Sequence, residues 1–180
     1  MSITPQNEET IHDGPRFTVK RGTFATGERE WVESPAAVAI VAYDEENLYL
    51  VRQAREAIGR DDLIEIPAGL MDVEGESPLD TAKRELEEEL GFEASEWVEV
   101  TSYFSSAGMT DEVTHIFLAT GLTKVAEVDP EGEEQIEIVT WPLEDIDGLI
   151  DGNLDAKTLT ALLWLRRAQL IGGSAGSGPS

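Results

Sequence analysis

A mixed α/β fold, with helices against one sheet and a small antiparallel sheet ahead of it, is predicted by three patterns in the 180 residues. Residues 17–33 alternate apolar with polar and are punctuated by Gly22 and Gly27, as short antiparallel strands are. Strand-like apolar runs at 36–42 and 113–122 stand before and after an acidic segment with helical spacing. A long amphipathic stretch at 155–170 closes the chain with another helix. The hydrophobic content of 41% is enough for one core. The chain then divides into an N-terminal lead-in and small sheet at 1–35, a main domain at 36–171 and a disordered tail at 172–180.

In order, residues 1–15 show little periodicity and read as a loose lead-in. Strands are predicted at 17–21, 23–27 and 29–33, and Pro35 closes their sheet. The run 36–42 reads as a buried strand, paired across the turn 44–47 with 48–51. Arg52-Gln53-Ala54-Arg55 follows, basic side chains at a strand end in an acidic chain. A turn at 59–62, a strand at 63–66 and Pro67-Ala68-Gly69 lead toward the acidic helix. Ser77 is placed to cap that helix and Pro78 to begin it, because Ser accepts from an orphan N–H and Pro has none to leave unsatisfied. Gly91 sits where a left-handed residue ends it. Beyond, strands are predicted at 97–104, 113–122 and 135–141, with polar loops at 105–112 and 129–134. A short helix begins at Pro142, and the closing helix offers Leu159, Leu162, Leu163, Trp164 and Leu170 to the core.

Within the acidic helix Leu79, Ala82, Leu86 and Leu90 form the buried stripe, while Glu85, Glu88 and Glu89 share another face. Glu85 and Glu89 are a like-charged i,i+4 pair, which costs about 0.2–0.5 kcal/mol in an isolated helix unless a cation neutralises it. Mg²⁺, a hard ion that shares its octahedron among carboxylates, waters and substrate phosphates, suits such a face. The alternative is a solvated acidic face in an acidic protein.

Composition removes several classes of function. There are no cysteines, so disulfides, thiolate catalysis and Cys-based zinc sites are out, and two histidines exclude a His-rich metal site. A net charge of −24, with only four lysines, repels nucleic-acid backbones and anionic membranes. The acids are spread along the chain rather than gathered in a tail, which implies a salt-rich medium that screens self-repulsion. No membrane-length apolar run, leader pattern or lipidation motif is visible, so the reading is cytoplasmic.

The run Glu76, seven residues, then Arg84-Glu85-Leu86-Glu87-Glu88-Glu89-Leu90-Gly91-Phe92 resembles the signature of the Nudix hydrolases, which cleave a nucleoside diphosphate linked to another group. One departure is an extra residue: six, not five, separate Gly69 from Glu76, which lengthens the turn 71–75 and leaves the helix phase unaltered. The resemblance implies a Nudix-type α/β/α sandwich over 36–170. Arg52-Gln53-Ala54-Arg55, the stretches 65–69, 106–112 and 115–119, and the segment 155–159 further resemble the ADP-ribose pyrophosphatase branch. Those enzymes hydrolyse ADP-ribose to AMP and ribose 5-phosphate with Mg²⁺, for which Mn²⁺ can substitute. They are typically homodimers that exchange N-terminal sheets.

Carried across residue by residue, the resemblance gives Glu85, Glu88 and Glu89 to the metal, together with the carbonyl of Ala68. Arg84 orients the glutamates, and Arg55 grips the pyrophosphate with a fork of donors. Arg29 and Glu30 align with residues that touch the ligand across the dimer, the alternative being an exposed strand pair. Trp31 or Phe17 is available to stack on adenine, or belongs to the core. A general base is expected in the loop before 135–141, where Glu131, Glu133 and Glu134 compete and Glu134 aligns best. Specific ADP-ribose enzymes carry a proline before the glycine equivalent to Gly108. Here that residue is Ala107, which implies acceptance of other sugars such as ADP-glucose or GDP-mannose. A Nudix domain reduced to ligand sensing is the second class, and it predicts broken glutamates, whereas all three are present.

Overall fold

The computed structural model describes residues 3–129 and 135–170. Strands β1 (Asn7–Asp13), β2 (Thr18–Phe24) and β3 (Gly27–Glu33) form a three-stranded antiparallel sheet in that order. The second sheet has seven strands: β4 (Ala37–Tyr43), β5 (Asn47–Arg55), β6 (Arg60–Glu65), β7 (Ala68–Leu70), β8 (Phe92–Phe104), β9 (Val113–Lys124) and β10 (Glu137–Pro142). Its main order is β10-β5-β4-β9-β8, with β6 joined to β5 and β7 to β4. The sheet is mixed, since β4 and β9 run parallel while its other pairs are antiparallel. Among the described residues there are three α-helices: α1 (Pro78–Leu90), α2 (Ile146–Gly152) and α3 (Ala156–Leu170). No helix among the described residues is long and apolar enough to cross a membrane.

Alternation along β4 builds the layers. Ala39 and Val41 join Leu50, Ile116, Leu149 and Leu162 in the core under α2 and α3. Val38, Ile40 and Ala42 point the other way, into a core with Ala82, Leu86, Leu90 and Phe117 beneath α1. Burial on both faces is why β4 reads as an unbroken apolar run, and the result is a sheet between two helical layers. The disposition of β4 and β5 shapes everything that follows. They pair only at Ala42↔Tyr49 and Tyr43↔Leu48 and then splay, so the hairpin expected from the sequence is cut short. β7 takes the freed edge of β4 at Ala37–Ala39, and β6 takes that of β5 at Val51–Arg55.

Helix α1 forms as its sequence dictates. Ser77 Oγ accepts from the Asp80 N–H, Asp80 reaches back to the Ser77 N–H, and Gly91 closes the helix at φ 70°. Glu76 ties the lengthened turn to the helix, accepting from Thr81 Oγ1 at 3.0 Å and from Arg84. Among the described residues, structure and expectation part elsewhere too: β6 begins at Arg60, inside the turn expected at 59–62, and β2 ends at Phe24, within the strand expected at 23–27. Residues 7–13 are a strand rather than a lead-in; every one is exposed, and Lys20–Glu8 and Arg21–Glu9 ion pairs attach it to β2. Gly22 is no punctuation: it lies inside β2, where an added Cβ would meet Pro5 at 3.0 Å and Trp31 at 3.2 Å. β8 starts at Phe92, directly after α1, rather than at 97. Helix α3 buries Thr158, Ala161, Leu162 and Leu165, whereas Leu163 and Leu170 are exposed, because Thr158 fixes the rotation through a bond to the β6–β7 connection. The expected tail at 172–180 lies outside the described residues.

Candidate active site

Where β4 and β5 splay, the structure opens a cleft of about 620 Å³. β5 contributes Gln53, Ala54 and Arg55; β7 contributes Ala68, Gly69 and Leu70; α1 contributes Arg84, Glu85, Glu88 and Glu89. Asp72, Glu112 and Lys157 also line it. Helix α1 thus turns two faces to useful work: its leucines enter the core and its glutamates border the cleft.

The carboxylates differ in setting. Glu85 is 7% exposed and Glu89 is 4% exposed, whereas Glu88 is exposed. Arg84 Nη1 donates to Glu85 Oε1 at 2.6 Å and to Glu88 Oε2 at 3.0 Å. Burial disfavours the charge on Arg84, but Glu85, Glu88 and Glu76 outweigh it and hold its pKa above the ordinary guanidinium value. Glu89 turns instead to β7, where its Oε2 accepts from the Ala68 N–H at 3.0 Å. Gly69 makes room for this packing. A Cβ built there would stand 2.0 Å from Glu85 Cδ, so only glycine lets the carboxylate lie on the backbone.

Nudix hydrolases generally use divalent metals. Hard oxygen donors from Glu85, Glu88, Glu89 and Glu112 around one cleft fit such an ion in kind. In position, Arg84 bridges Glu85 and Glu88 while Glu89 turns to the Ala68 N–H, and among the described residues no three His, Cys, Asp or Glu side chains are gathered into a metal-binding group.

Facing the glutamates, Arg55 is braced by a residue that sequence reasoning passed over. Glu65 is 0% exposed, and its two oxygens accept from Arg55 Nε at 2.6 Å and Nη2 at 2.7 Å. Lys157 Nζ bonds the same Glu65 Oε2, and stands 3.1 Å from Asp155 Oδ2. Burial pushes the Glu65 carboxyl up, and the bonds from Arg55 and Lys157 overcome that push to hold it below its ordinary value. The signal available in the sequence was a single acid inside the apolar run Leu63-Ile64-Glu65-Ile66.

Other expected site residues are not in this cleft. Arg29 and Glu30 lie on β3: Arg29 Nη1 donates to the Glu28 carbonyl at 2.6 Å, and Glu30 accepts from Arg21. Gly108 lies in the loop 105–112, which is fastened to β3 by the Val32 N–H donating to the Met109 carbonyl at 2.8 Å. Phe17 is 46% exposed, and Trp31 packs edge-on against Phe24 with ring centroids 5.9 Å apart. Glu131, Glu133 and Glu134 fall outside the described residues.

Comparison with known proteins agrees with this fold. The sequence pattern of the NUDIX domain is matched by residues 33–163. An ADP-ribose pyrophosphatase of Mycobacterium tuberculosis is 41% identical over 143 residues, 75% of this chain and 68% of that protein. An ADP-ribose pyrophosphatase of Bacillus subtilis is 38% identical over 147 residues, 79% of this chain and 78% of that protein. A crystal structure of an ADP compounds hydrolase superposes with a TM-score of 0.79 at 27% identity, covering 94% of this chain and 95% of that one. With the domain pattern and the closer relatives spanning most of its length, the chain belongs to the Nudix hydrolase family.

Proposed function

We propose that the protein hydrolyses the pyrophosphate of nucleoside diphosphate sugars with Mg²⁺, ADP-ribose foremost, giving AMP and ribose 5-phosphate. The observation that carries this reading is the cleft itself, in which the α1 glutamates face the braced guanidinium of Arg55. The ADP-ribose pyrophosphatases among the relatives support the substrate class.

Glu85, Glu88, Glu89 and the Ala68 carbonyl are the groups to hold Mg²⁺, or Mn²⁺ in its place. A divalent ion held by these groups would supply positive charge to offset that of the pyrophosphate oxygens and to make water a better nucleophile. Arg84 sets the directions of Glu85 and Glu88. Arg55 offers a planar pair of donors to phosphate oxygens, with Glu65 fixing the plane. Glu134, or else Glu133 or Glu131, takes the proton from the attacking water. Arg29 and Glu30 contact the ligand of the partner subunit in a homodimer built on the N-terminal sheets, and the loop carrying Gly108 borders the terminal ribose. The setting is a salt-rich cytoplasm.

A broader substrate range has its own support in the loop carrying Ala107 and Gly108. Nothing lies within 4 Å of a Cβ added at Gly108, and no proline fixes φ at Ala107. The test is kcat/KM for ADP-ribose, ADP-glucose and GDP-mannose. ADP-ribose is expected to rank first, with the others turned over appreciably. A tenfold preference for another sugar, about 1.4 kcal/mol in the transition state, sinks the ADP-ribose assignment.

A further inference from the structure

Asp72 lines the cleft from the turn 71–75, the stretch that carries one residue more than the Nudix signature. Backbone bonds fix this turn on both sides of it. The Met71 N–H donates to the Ala36 carbonyl at 2.8 Å, and the Glu76 N–H donates to the Val73 carbonyl at 3.2 Å. The Asp72 carboxylate is 63% exposed, and Arg84 Nη2 stands 3.8 Å from its Oδ1, within range of an ion pair but beyond a hydrogen bond. Arg84 itself is fully engaged. Its Nε donates to Glu76, its Nη2 to the Leu70 carbonyl and Glu76, and its Nη1 to Glu85 Oε1 and Glu88 Oε2. Those last two oxygens belong to carboxylates that a divalent ion would need, so guanidinium and ion compete for the same groups.

We propose that Asp72 is a positioning residue for metal binding, the alternative partner that receives Arg84 when a divalent ion takes Glu85 and Glu88. This rests on the metal-dependent hydrolase reading above and adds a device to it. Glu76 holds the Nε of Arg84, so the guanidinium can tilt about that contact without leaving its place. A shift of roughly 1 Å brings Nη2 and Asp72 to hydrogen-bond length. Losing two acceptors leaves N–H groups unsatisfied unless another acceptor is at hand. Water replaces them poorly, because only 26% of the Arg84 side chain is exposed. Asp72 is that acceptor, since among the described residues its carboxylate accepts no hydrogen bond of its own. Its charge alone acts weakly on a metal ion, because an exposed carboxylate is screened by water and salt.

The experiment titrates Mn²⁺, without substrate, into the full chain and follows its paramagnetic resonance. The parent is compared with Asp72→Asn, Arg84→Met and the double variant, and with Glu74→Gln, which removes an exposed acid of the same turn; melting curves check folding. Asp72→Asn is expected to weaken Mn²⁺ binding about tenfold in the parent, as for loss of a charge-assisted hydrogen bond. Once Arg84 is Met, the same change costs less than about twofold, because the effect travels through the arginine. Asp72→Glu recovers most of the loss. Unchanged Mn²⁺ affinity in Asp72→Asn, an equal loss with and without Arg84, or a parent that binds no Mn²⁺ overturns the proposal. Should Arg84→Met not fold, Glu74→Gln decides: a loss equal to that of Asp72→Asn overturns the proposal, and an affinity like the parent's upholds it. ADP-ribose turnover keeps the two readings apart. Mn²⁺ affinity that depends on Asp72 in a protein that ignores ADP-ribose upholds the device and removes the substrate assignment instead.

Discussion

Glu65 shows how much one residue organises. It keeps a charge at a site with no exposure to water, and it does so because Arg55 and Lys157 bring two opposite charges to its two oxygens. Its pKa is lowered from the ordinary 4.5 on folding. A group whose folded pKa is depressed contributes stability that is present above the unfolded value and is lost as pH falls through the folded value. Glu65→Ala is therefore expected to lower unfolding free energy by about 3 kcal/mol at neutral pH, the low end for an orphaned buried ion pair, because both cations border an open cleft. Denaturant unfolding across pH checks this. The gap between parent and variant should narrow below about pH 4, as the parent's Glu65 takes up its proton. A gap that stays constant into strong acid contradicts the charge argument.

At the scale of elements, legibility tracked how local the determining forces are. Helix α1 could be read to the residue, because Ser77, Pro78, Asp80 and Gly91 act on their own backbone neighbours. β4 could be read because burial on both faces leaves no polar position in it. β1 could not, since a strand exposed at every residue has no apolar period and depends on ion pairs across to β2. The rotation of α3 was hidden for another reason. Apolar residues lie all round that helix, and the choice of buried face is made by Thr158 bonding Ile66, 92 residues away in sequence. The candidate site divides in the same manner. Glu85, Glu88 and Glu89 follow from helical spacing, whereas the meeting of Arg55, Glu65 and Lys157 depends on β4 and β5 parting and on α3 docking beside the gap. Their separate segments were visible; their junction was not.

The whole molecule carries a formal charge of −24 on 180 residues, and the ion pairs it forms use most of its few cations. The remaining acids repel one another across the surface. Salt shortens the Debye length to roughly 3 Å at 1 M, so repulsion between neighbouring exposed carboxylates fades. The unfolding midpoint is expected to rise between about 0.1 and 2 M KCl, across that screening range. A midpoint that does not move removes self-repulsion as a determinant of stability.

The same acidity concentrates where α1 meets the cleft, and that is where the assignment as a metal-dependent hydrolase stands or falls. The most direct measurement is ADP-ribose hydrolysis with Mg²⁺ and with EDTA, by the parent, Glu88→Gln and Glu89→Gln. Each substitution keeps the side chain's shape and removes one charge from the patch. The hydrolase assignment predicts turnover only with a divalent ion, and a fall of at least about 100-fold in either variant, as when a principal electrostatic stabiliser is lost. Full turnover in EDTA, or a Glu89→Gln enzyme as fast as the parent, contradicts it.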